Sequence, residues 1–308
     1  MTEATTTAAE TSAAEATVIK ATAEAAAAGA GAGAVSGRRP TVRRLALARG
    51  ALEIRQFFRE RDAVFFTFAL PAVLLILLGS IFDSGLANQT TMPGISTSQL
   101  LVAGMIAAGI GSTSFVNLAI GITADREDGT IKRLRGAPMP PMAYFLGKII
   151  VVLVTAVAEL VIVLAVGVAL FGLRLPTEPG RWLTFGWVFL LGVTACTLLG
   201  IAMSSVPRSI RSAAPVVNLP FLVLQFVSGI FIVPITQLPP VFQQIAALFP
   251  LKWMAQGFRS VFLPDSGVGL EAAGAWEHGR VALVLTAWCL GGLVLCLTTF
   301  HWQSRRDG

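Results

Sequence analysis

Long uninterrupted apolar runs recur along this chain of 308 residues, and they constrain its fold more than any other feature. The first run, AVFFTFALPAVLLILLGSIF at residues 63–82, contains no charged residue. An α-helix rises about 1.5 Å per residue, so roughly 20 apolar residues cross a hydrocarbon core about 30 Å thick. Charged residues make up only 13% of the chain, whereas about 25% is usual in soluble domains. The sequence therefore predicts an all-α polytopic membrane protein.

Six apolar runs predict six transmembrane helices. Their predicted bounds are 63–82, 100–123, 145–171, 182–203, 214–233 and 281–300. Lys and Arg residues are distributed unevenly between alternate connecting segments, with sixteen on one set, counted from Arg38, and five on the other. Because the side richer in Lys and Arg faces the cytoplasm, the pattern predicts two cytoplasmic termini and a location in the cell (plasma) membrane.

The segments outside the spans differ in composition. Residues 1–40, rich in Ala and Thr, have too little apolar bulk to form a core and are predicted to be a disordered cytoplasmic tail. In 41–62, an apolar stripe at helical spacing is flanked by arginines and consists of Leu47, Ala51, Ile54 and Phe58. This pattern favours an amphipathic helix at the membrane interface that contacts lipid, or else an ordinary basic flank of the first span. The transmembrane domain is predicted at 63–303, followed by a cytoplasmic tail at 304–308.

The segment 234–280 is too apolar for an exposed loop and too interrupted by proline to span the membrane. The breaks are at Pro239, Pro240, Pro250 and Pro264. They delimit two short helical pieces at about 241–249 and 251–263, each roughly half a bilayer long. The sequence predicts an extracellular re-entrant hairpin before the last span.

Signatures of catalytic, metal and nucleotide chemistry are absent from the sequence. The pair Gly147-Lys148 is not followed by Ser or Thr, and Met142 stands where a phosphate-binding loop requires glycine. His278 and His301 lie outside any metal-ligand spacing. The basic residues form no stripe with interleaved aromatics, so nucleic acid is not a predicted partner. We predict no catalytic residue, no metal and no cofactor bound by this chain.

The most informative polar segment is ITADREDGTIKRLRGAPMPPMAYFLGK, residues 122–148. Its acidic residues are followed by Gly129 and by Thr130, which is predicted to cap a short basic helix. Such a helix, held between two spans, would transmit the motion of a cytoplasmic partner into both. The alternative is a solvated loop whose charges only set topology.

This loop, with EDGTIKRLRGAPMP running on to Tyr144 and Gly147-Lys148, closely resembles the loop between spans two and three of ABC-2 type transporter permeases. More narrowly, it is similar to the daunorubicin/doxorubicin-resistance type of drug-exporter permease found in actinobacteria. The resemblance covers about 41–308 and includes Ser228-Gly229-Ile230 at the end of span five.

The resemblance implies the permease subunit of an ATP-binding cassette exporter that works by alternating access. Two copies of a separate ATPase subunit, which binds ATP and Mg, would drive two permeases, either two copies of this chain or this chain and a paralogue. The implied cargo is a hydrophobic, drug-like small molecule, with lipid or cell-envelope glycan as the alternative. The residues implied in ATPase coupling are Asp125, Arg126, Glu127, Asp128, Gly129, Thr130, Lys132, Arg133 and Arg135, together with Arg208 and Arg211 in the next loop on that side.

Polar residues inside the spans are candidates for the substrate pathway. Glu159 must face protein or water, because a charge at the bilayer centre costs at least ~2.5 kcal/mol. Glu159 is predicted to contact a cationic drug or to act as a switch in the permease interface; the alternative is a protonated, hydrogen-bonded residue packed against another span. Asn117, Asn218 and Gln225 are better explained as inter-helix hydrogen bonds, and Asn117 and Gln225 are also pathway candidates.

Two other function classes can be weighed against this one. A carrier driven by an ion gradient would show several intramembrane acids or an inverted repeat. The spans contain one such acid and no convincing repeat. An intramembrane enzyme would need a catalytic pair at bilayer depth, and none is visible in the sequence.

Overall fold

A computed structural model of the chain describes residues 41–83, 95, 97–136, 141–232 and 234–299. The regular structure in these residues is helical and contains no β-strand. Six of the described helices are long and apolar enough to cross a membrane, which confirms the predicted number. The tails predicted at 1–40 and 304–308 lie outside the described residues.

The helices are α1 Val42–Arg59, α2 Arg61–Asp83, α3 Thr97–Gly111, α4 Leu118–Glu127, α5 Thr130–Gly136, α6 Pro141–Phe171, α7 Pro179–Met203, α8 Ile210–Val227, α9 Pro240–Ala247, α10 Pro250–Phe262 and α11 His278–Thr299. A π-helical segment at Ser112–Asn117 joins α3 and α4 into one helix, called here the central helix. The candidate spans are α2, the central helix, α6, α7, α8 and α11.

The central helix forms the core. In its apolar window 72% of the residues are buried, against 17% for α8 and for α11. Its largest fully buried side chains include Leu101, Met105, Ile106 and Ile110. A Cβ atom at Gly104 would lie 3.2 Å from the carbonyl oxygen of Ile230, so this glycine allows the chain after α8 to pack closely.

Helix α8 ends at Val227 rather than at the predicted residue 233. The amide of Ser228 still donates to Leu224 O at 2.9 Å, but Gly229 has a φ of +69°. This left-handed conformation is one that glycine adopts without steric cost, and it terminates the helix.

Helix α1 packs along α6 through a face that its apolar pattern did not indicate. The buried residues of α1 are Ala46, Gly50 and Glu53. The predicted apolar stripe lies on the other side, where Leu47 is 55% exposed and Phe58 49% exposed. The protein-facing side of α1 is therefore formed by small residues and one acid.

Helices α9 and α10 meet at Pro250, close to the predicted break, and every residue of α10 is buried. The polar face of α10 is covered by the segment that follows it. Arg259 Nε lies 2.5 Å from Glu271 Oε1, and Gln256 Nε2 donates to the carbonyl oxygen of Trp276 at 3.1 Å. This polar network lies at the opposite end of the bundle from the α4–α5 turn, because α10 packs beside the beginning of α7 and the turn lies beside its end.

Candidate functional site

The α4–α5 turn follows three consecutive polar residues, each of which contacts a different helix. The first, Asp125, points towards α6. Its Oδ2 accepts a hydrogen bond from Tyr144 OH at 2.8 Å and lies 2.7 Å from Lys148 Nζ. Tyr144 and Lys148 reach the same carboxylate because residues four apart share one face of a helix. Asp125 is thus directed into the protein rather than towards a partner.

Arg126 ties the central helix to the end of α7. Its Nη1 donates to the carbonyl oxygen of Ser204 at 2.9 Å, and Thr123 Oγ1 donates to the same oxygen at 3.3 Å. Ser204 directly follows α7, and carbonyl groups at a helix C-terminus lack partners within the helix. A guanidinium group there also complements the helix dipole, so Arg126 caps α7.

Glu127 contacts the beginning of α8. Its Oε2 accepts a hydrogen bond from the backbone amide of Ile210, the first residue of α8, at 2.5 Å. Amide groups in the first turn of a helix need acceptors, and a carboxylate is favoured there. Asp125, Arg126 and Glu127 therefore connect the end of the central helix to α6, α7 and α8 respectively.

The turn itself is set by Gly129, whose φ of +73° reverses the chain between α4 and α5. Thr130 is the first residue of α5, and its hydroxyl accepts a hydrogen bond from Arg133 Nη2 at 3.5 Å. The same nitrogen donates to the carbonyl oxygen of Asp128 at 3.2 Å. Arg133 thus braces the turn, while Asp128 and Lys132 have exposed side chains. The side chain of Arg135 lies outside the described part of the chain.

The turn between α7 and α8 lies beside this one. Arg208 and Arg211 are exposed there, and the bond from Ile210 to Glu127 joins the two turns. The structure thus brings most of the predicted coupling residues together at one end of the bundle. Their exposed members are called here the charged patch: Glu127, Asp128, Lys132, Arg133, Arg208 and Arg211.

Beneath the charged patch lies an ionic cluster that the sequence analysis missed. Lys148 Nζ lies 2.6 Å from Glu53 Oε2 of α1, in addition to its contact with Asp125. Arg49 Nη2 lies 2.8 Å from Glu53 Oε1. Two features of the sequence could have pointed to this cluster. Glu53 shares a helical face with Gly50, and Tyr144 is the only tyrosine of the chain.

A cavity of about 50 Å³ lies between α2, the central helix and α8. Its lining is mostly apolar, with polar side chains at Thr67, Ser112 and Gln225. Asn117 Nδ2 donates to Thr67 Oγ1 at 3.2 Å, which fixes one edge of the cavity. Two of the predicted pathway residues, Gln225 and Asn117, therefore lie in or beside it.

Glu159 does not line this cavity. It is buried against the central helix, where its Oε2 accepts a hydrogen bond from Thr113 Oγ1 at 2.6 Å. Its Oε1 has no hydrogen-bond partner among the described residues and faces Gly109. This placement favours the packing alternative. The amide of Asn218 donates to Ala214 O of its own helix at 2.9 Å, so an inter-helix bond is not seen there.

Within the described residues, no three His, Cys, Asp or Glu side chains are grouped as metal ligands. His278 Nε2 lies 3.0 Å from Ser260 Oγ, and Cys196, Cys289 and Cys296 are free.

The family profile described as ABC-2 type transporter matches residues 47–263. The matched stretch contains the central helix, the charged patch and the ionic cluster. This chain belongs to the ABC-2 type transporter family. Members of this family are membrane components of transporters. They generally work with an ATP-binding subunit and as dimers. The prediction of a transport permease rather than an enzyme is confirmed by this membership.

Named relatives of this ABC-2 family member are transport permeases. The ycf38 transport permease of Porphyra purpurea is 29% identical over 195 residues, which are 62% of this chain and 65% of that protein, just under two thirds of its length. Its counterpart from Pyropia yezoensis is 28% identical over 230 residues, 74% of each chain. The inner membrane transport permease YadH of Escherichia coli (strain K12) is 25% identical over 244 residues, 78% of this chain and 91% of YadH.

Proposed function

We propose that this chain is the transmembrane permease subunit of an ATP-binding cassette exporter and that a separate ATPase docks on the charged patch. One observation carries the proposal. The α4–α5 turn exposes charged side chains, while Asp125, Arg126 and the patch residue Glu127 are bonded to α6, α7 and α8 respectively. A force applied to the patch is therefore passed to three membrane-spanning helices, as coupling to an external ATPase requires.

In this proposal the charged patch faces the cytoplasm, where ATP is available, and the permease lies in the plasma membrane with both termini inside. The Lys and Arg distribution supports this orientation, since both turns of the patch belong to the segments rich in these residues. Helices α9 and α10 then form a re-entrant hairpin at the outer face, supported by the complete burial of α10.

Helix α1 is proposed to lie in the headgroup region. Its apolar stripe is exposed, as a lipid-facing surface would be, and its exposed basic residues include Arg43, Arg44, Arg55 and Arg59. Guanidinium groups beside an apolar stripe favour binding to anionic headgroups. The same helix would also contact the ATPase.

The cargo is proposed to be a hydrophobic small molecule, as in the drug-resistance branch that the loop resembles. The mostly apolar cavity with Thr67, Ser112 and Gln225 has a volume of about 50 Å³, which is below the ~300 Å³ of a typical ligand pocket, so it would form only a part of the pathway. Lipid or envelope glycan export by the same family remains the alternative. Two permease chains, identical or paralogous, would enclose the pathway.

Co-purification with a Walker-containing ATPase, sought first in the reading frames that neighbour this gene, tests the docking site. Asp128→Lys combined with Lys132→Glu reverses two exposed charges and keeps the net charge. We expect ATPase affinity to fall about tenfold or more, because like charges across an interface are costly. Glu178→Lys is the matched control, since that acid is 72% exposed at the opposite end of α7.

Unchanged ATPase binding by the reversed variant would contradict the assignment of the patch. Transport by the purified chain alone on a proton or sodium gradient would contradict the function itself and establish an ion-driven carrier instead.

A further inference from the structure

We infer that the ionic cluster of Arg49, Glu53, Asp125, Tyr144 and Lys148 is a positioning device that makes α1 and the α4–α5 turn move as one body when the ATPase acts. The inference rests on the proposed function. It assigns a role to Arg49, Glu53, Tyr144 and Lys148, which lie beneath the docking surface and contact the partner only through other residues.

Lys148 joins two helices that are distant in sequence. Its ammonium group lies 2.6 Å from Glu53 Oε2 of α1 and 2.7 Å from Asp125 Oδ2 of α4. Arg49 holds the other oxygen of Glu53, and Tyr144 OH donates to Asp125 at 2.8 Å. Two cations and two carboxylates make the cluster neutral, and each charged group has a partner of opposite sign.

The cluster is shielded from solvent. The exposed fractions of the side chains are 15% for Arg49, 8% for Glu53, 11% for Lys148 and 20% for Asp125. Lys148 Nζ and Arg49 Cζ also lie 5.6 and 5.9 Å from the centre of the Tyr144 ring. Charges in such a site attract one another more strongly than surface charges and are screened less by salt.

Two glycines allow the helices to approach closely enough for these contacts. A Cβ atom at Gly147 would lie 2.8 Å from Arg49 Cγ, and one at Gly50 would lie 2.9 Å from Ile150 Cγ2. Each glycine lies within one helical turn of a cluster residue, Gly147 beside Lys148 and Gly50 before Glu53. The backbone crossing and the ionic contacts therefore form one joint between α1 and α6.

A buried ionic cluster adds little stability compared with apolar packing of the same volume, so stability alone does not account for it. The position of the cluster between α1 and the α4–α5 turn offers another reason for its presence. Asp125 lies one helical turn before Asp128 of the charged patch, and Glu53 lies on the buried side of α1. Removing Lys148 would leave the carboxylates of Glu53 and Asp125, both largely shielded from solvent, facing each other, and their repulsion would separate α1 from the α4–α5 turn.

Pulsed electron resonance between spin labels on α1 and α4 tests the joint without any cargo. Leu52 is 47% exposed, and a side chain at Gly121 would meet no atom within 4 Å, so Leu52→Cys and Gly121→Cys provide label sites outside the charged patch. The free cysteines at 196, 289 and 296 are replaced by alanine. Labelled chain is diluted with unlabelled chain and assembled with the ATPase in lipid nanodiscs.

With Lys148 present, we expect the same distance distribution without nucleotide and after trapping with ATP and vanadate, because both labels move together. In Lys148→Met we expect the mean distance to shift on trapping, and Lys148→Arg should suppress that shift. A purely structural role of Lys148 would broaden both distributions equally. Arg181→Met, which removes ion pairs at the opposite end of the bundle, is the control and should behave as wild type.

A nucleotide-dependent shift in the wild-type chain, or its absence in Lys148→Met, would overturn the inference. If Lys148→Met does not accumulate, Tyr144→Phe removes one hydrogen bond to Asp125 and should give a smaller shift in the same direction; no shift there overturns the inference as well. Failure of the wild-type chain to bind the ATPase would instead overturn the proposed function.

Discussion

Lys252 shows how a single buried charge affects α10, a helix that is not one of the candidate membrane spans. Its ammonium group lies 3.5 Å from the centre of the Trp253 ring and 2.5 Å from Gln256 Oε1. Burial lowers the pKa of Lys252 to about 8, and the nearby carboxylates of Glu271 and Glu277 oppose this change. The cations that act in the same direction as burial are Arg259 and Arg280.

We expect Lys252 to make the stability of the protein depend on alkaline pH. The unfolded chain keeps this proton up to a pKa of 10.5, whereas the folded chain loses it near pH 8. The unfolded state therefore binds more protons between these values, and stability rises with pH in this window. In detergent, the thermal unfolding temperature of the wild type should rise relative to that of Lys252→Met as the pH is raised from 8 to 10.5. Parallel pH curves would contradict this expectation.

The structure places most of the residues implied in coupling at one end of the bundle, and their role in coupling stays a prediction. Asp125 and Arg126 belong to that implied set, and their side chains bond within the chain to Lys148, Tyr144 and Ser204. A run of charges has the same appearance in sequence whether it meets solvent or caps a neighbouring helix. Only the arrangement of α6 and α7 beside α4 distinguishes the two cases.

At the scale of helices, the apolar runs predicted where the spans lie but not how α1 packs. In a membrane, lipid and protein both present apolar surfaces, so hydrophobicity does not identify the side that faces protein. Small residues do, because they let backbones approach. The face of α1 with Ala46 and Gly50 is buried, while the stripe with Leu47 is exposed. Glu53 could not be paired from sequence, because its partner Lys148 is far along the chain.

The crossing of α1 and α6 should depend on Gly147. We expect Gly147→Leu to push α1 away, because a Cβ atom there would lie 2.8 Å from Arg49 Cγ. Overpacking of this kind costs about 1–3 kcal/mol. In this variant, amide hydrogen exchange should accelerate more in α1 than in the central helix. The control is Gly291→Leu, since a Cβ atom there meets nothing within 4 Å. Equal exchange in both variants would show that α1 does not depend on this crossing.

At the scale of the whole molecule, the two ends of the bundle are built differently. One end exposes the charged patch above a buried ionic cluster. At the other end, Arg181 Nη1 donates to the carbonyl oxygen of Leu263 at 2.5 Å, which fastens α7 to the end of α10. The faces of α8 and α11 are largely exposed and apolar, as surfaces that meet lipid or a second chain must be. Their partner surfaces cannot be predicted from one sequence.

This asymmetry gives a direct test of membrane orientation. Lys132→Cys and Glu178→Cys place single thiols at opposite ends, at positions that are both exposed. The native cysteines are replaced by alanine so that only these thiols react. In intact cells, a membrane-impermeant maleimide should label position 178 and should reach position 132 only after permeabilisation, because the end richer in Lys and Arg stays inside. Labelling of position 132 alone in intact cells would show that the topology is the inverse of the predicted one. An inverted topology would also place the charged patch beyond the reach of a cytoplasmic ATPase.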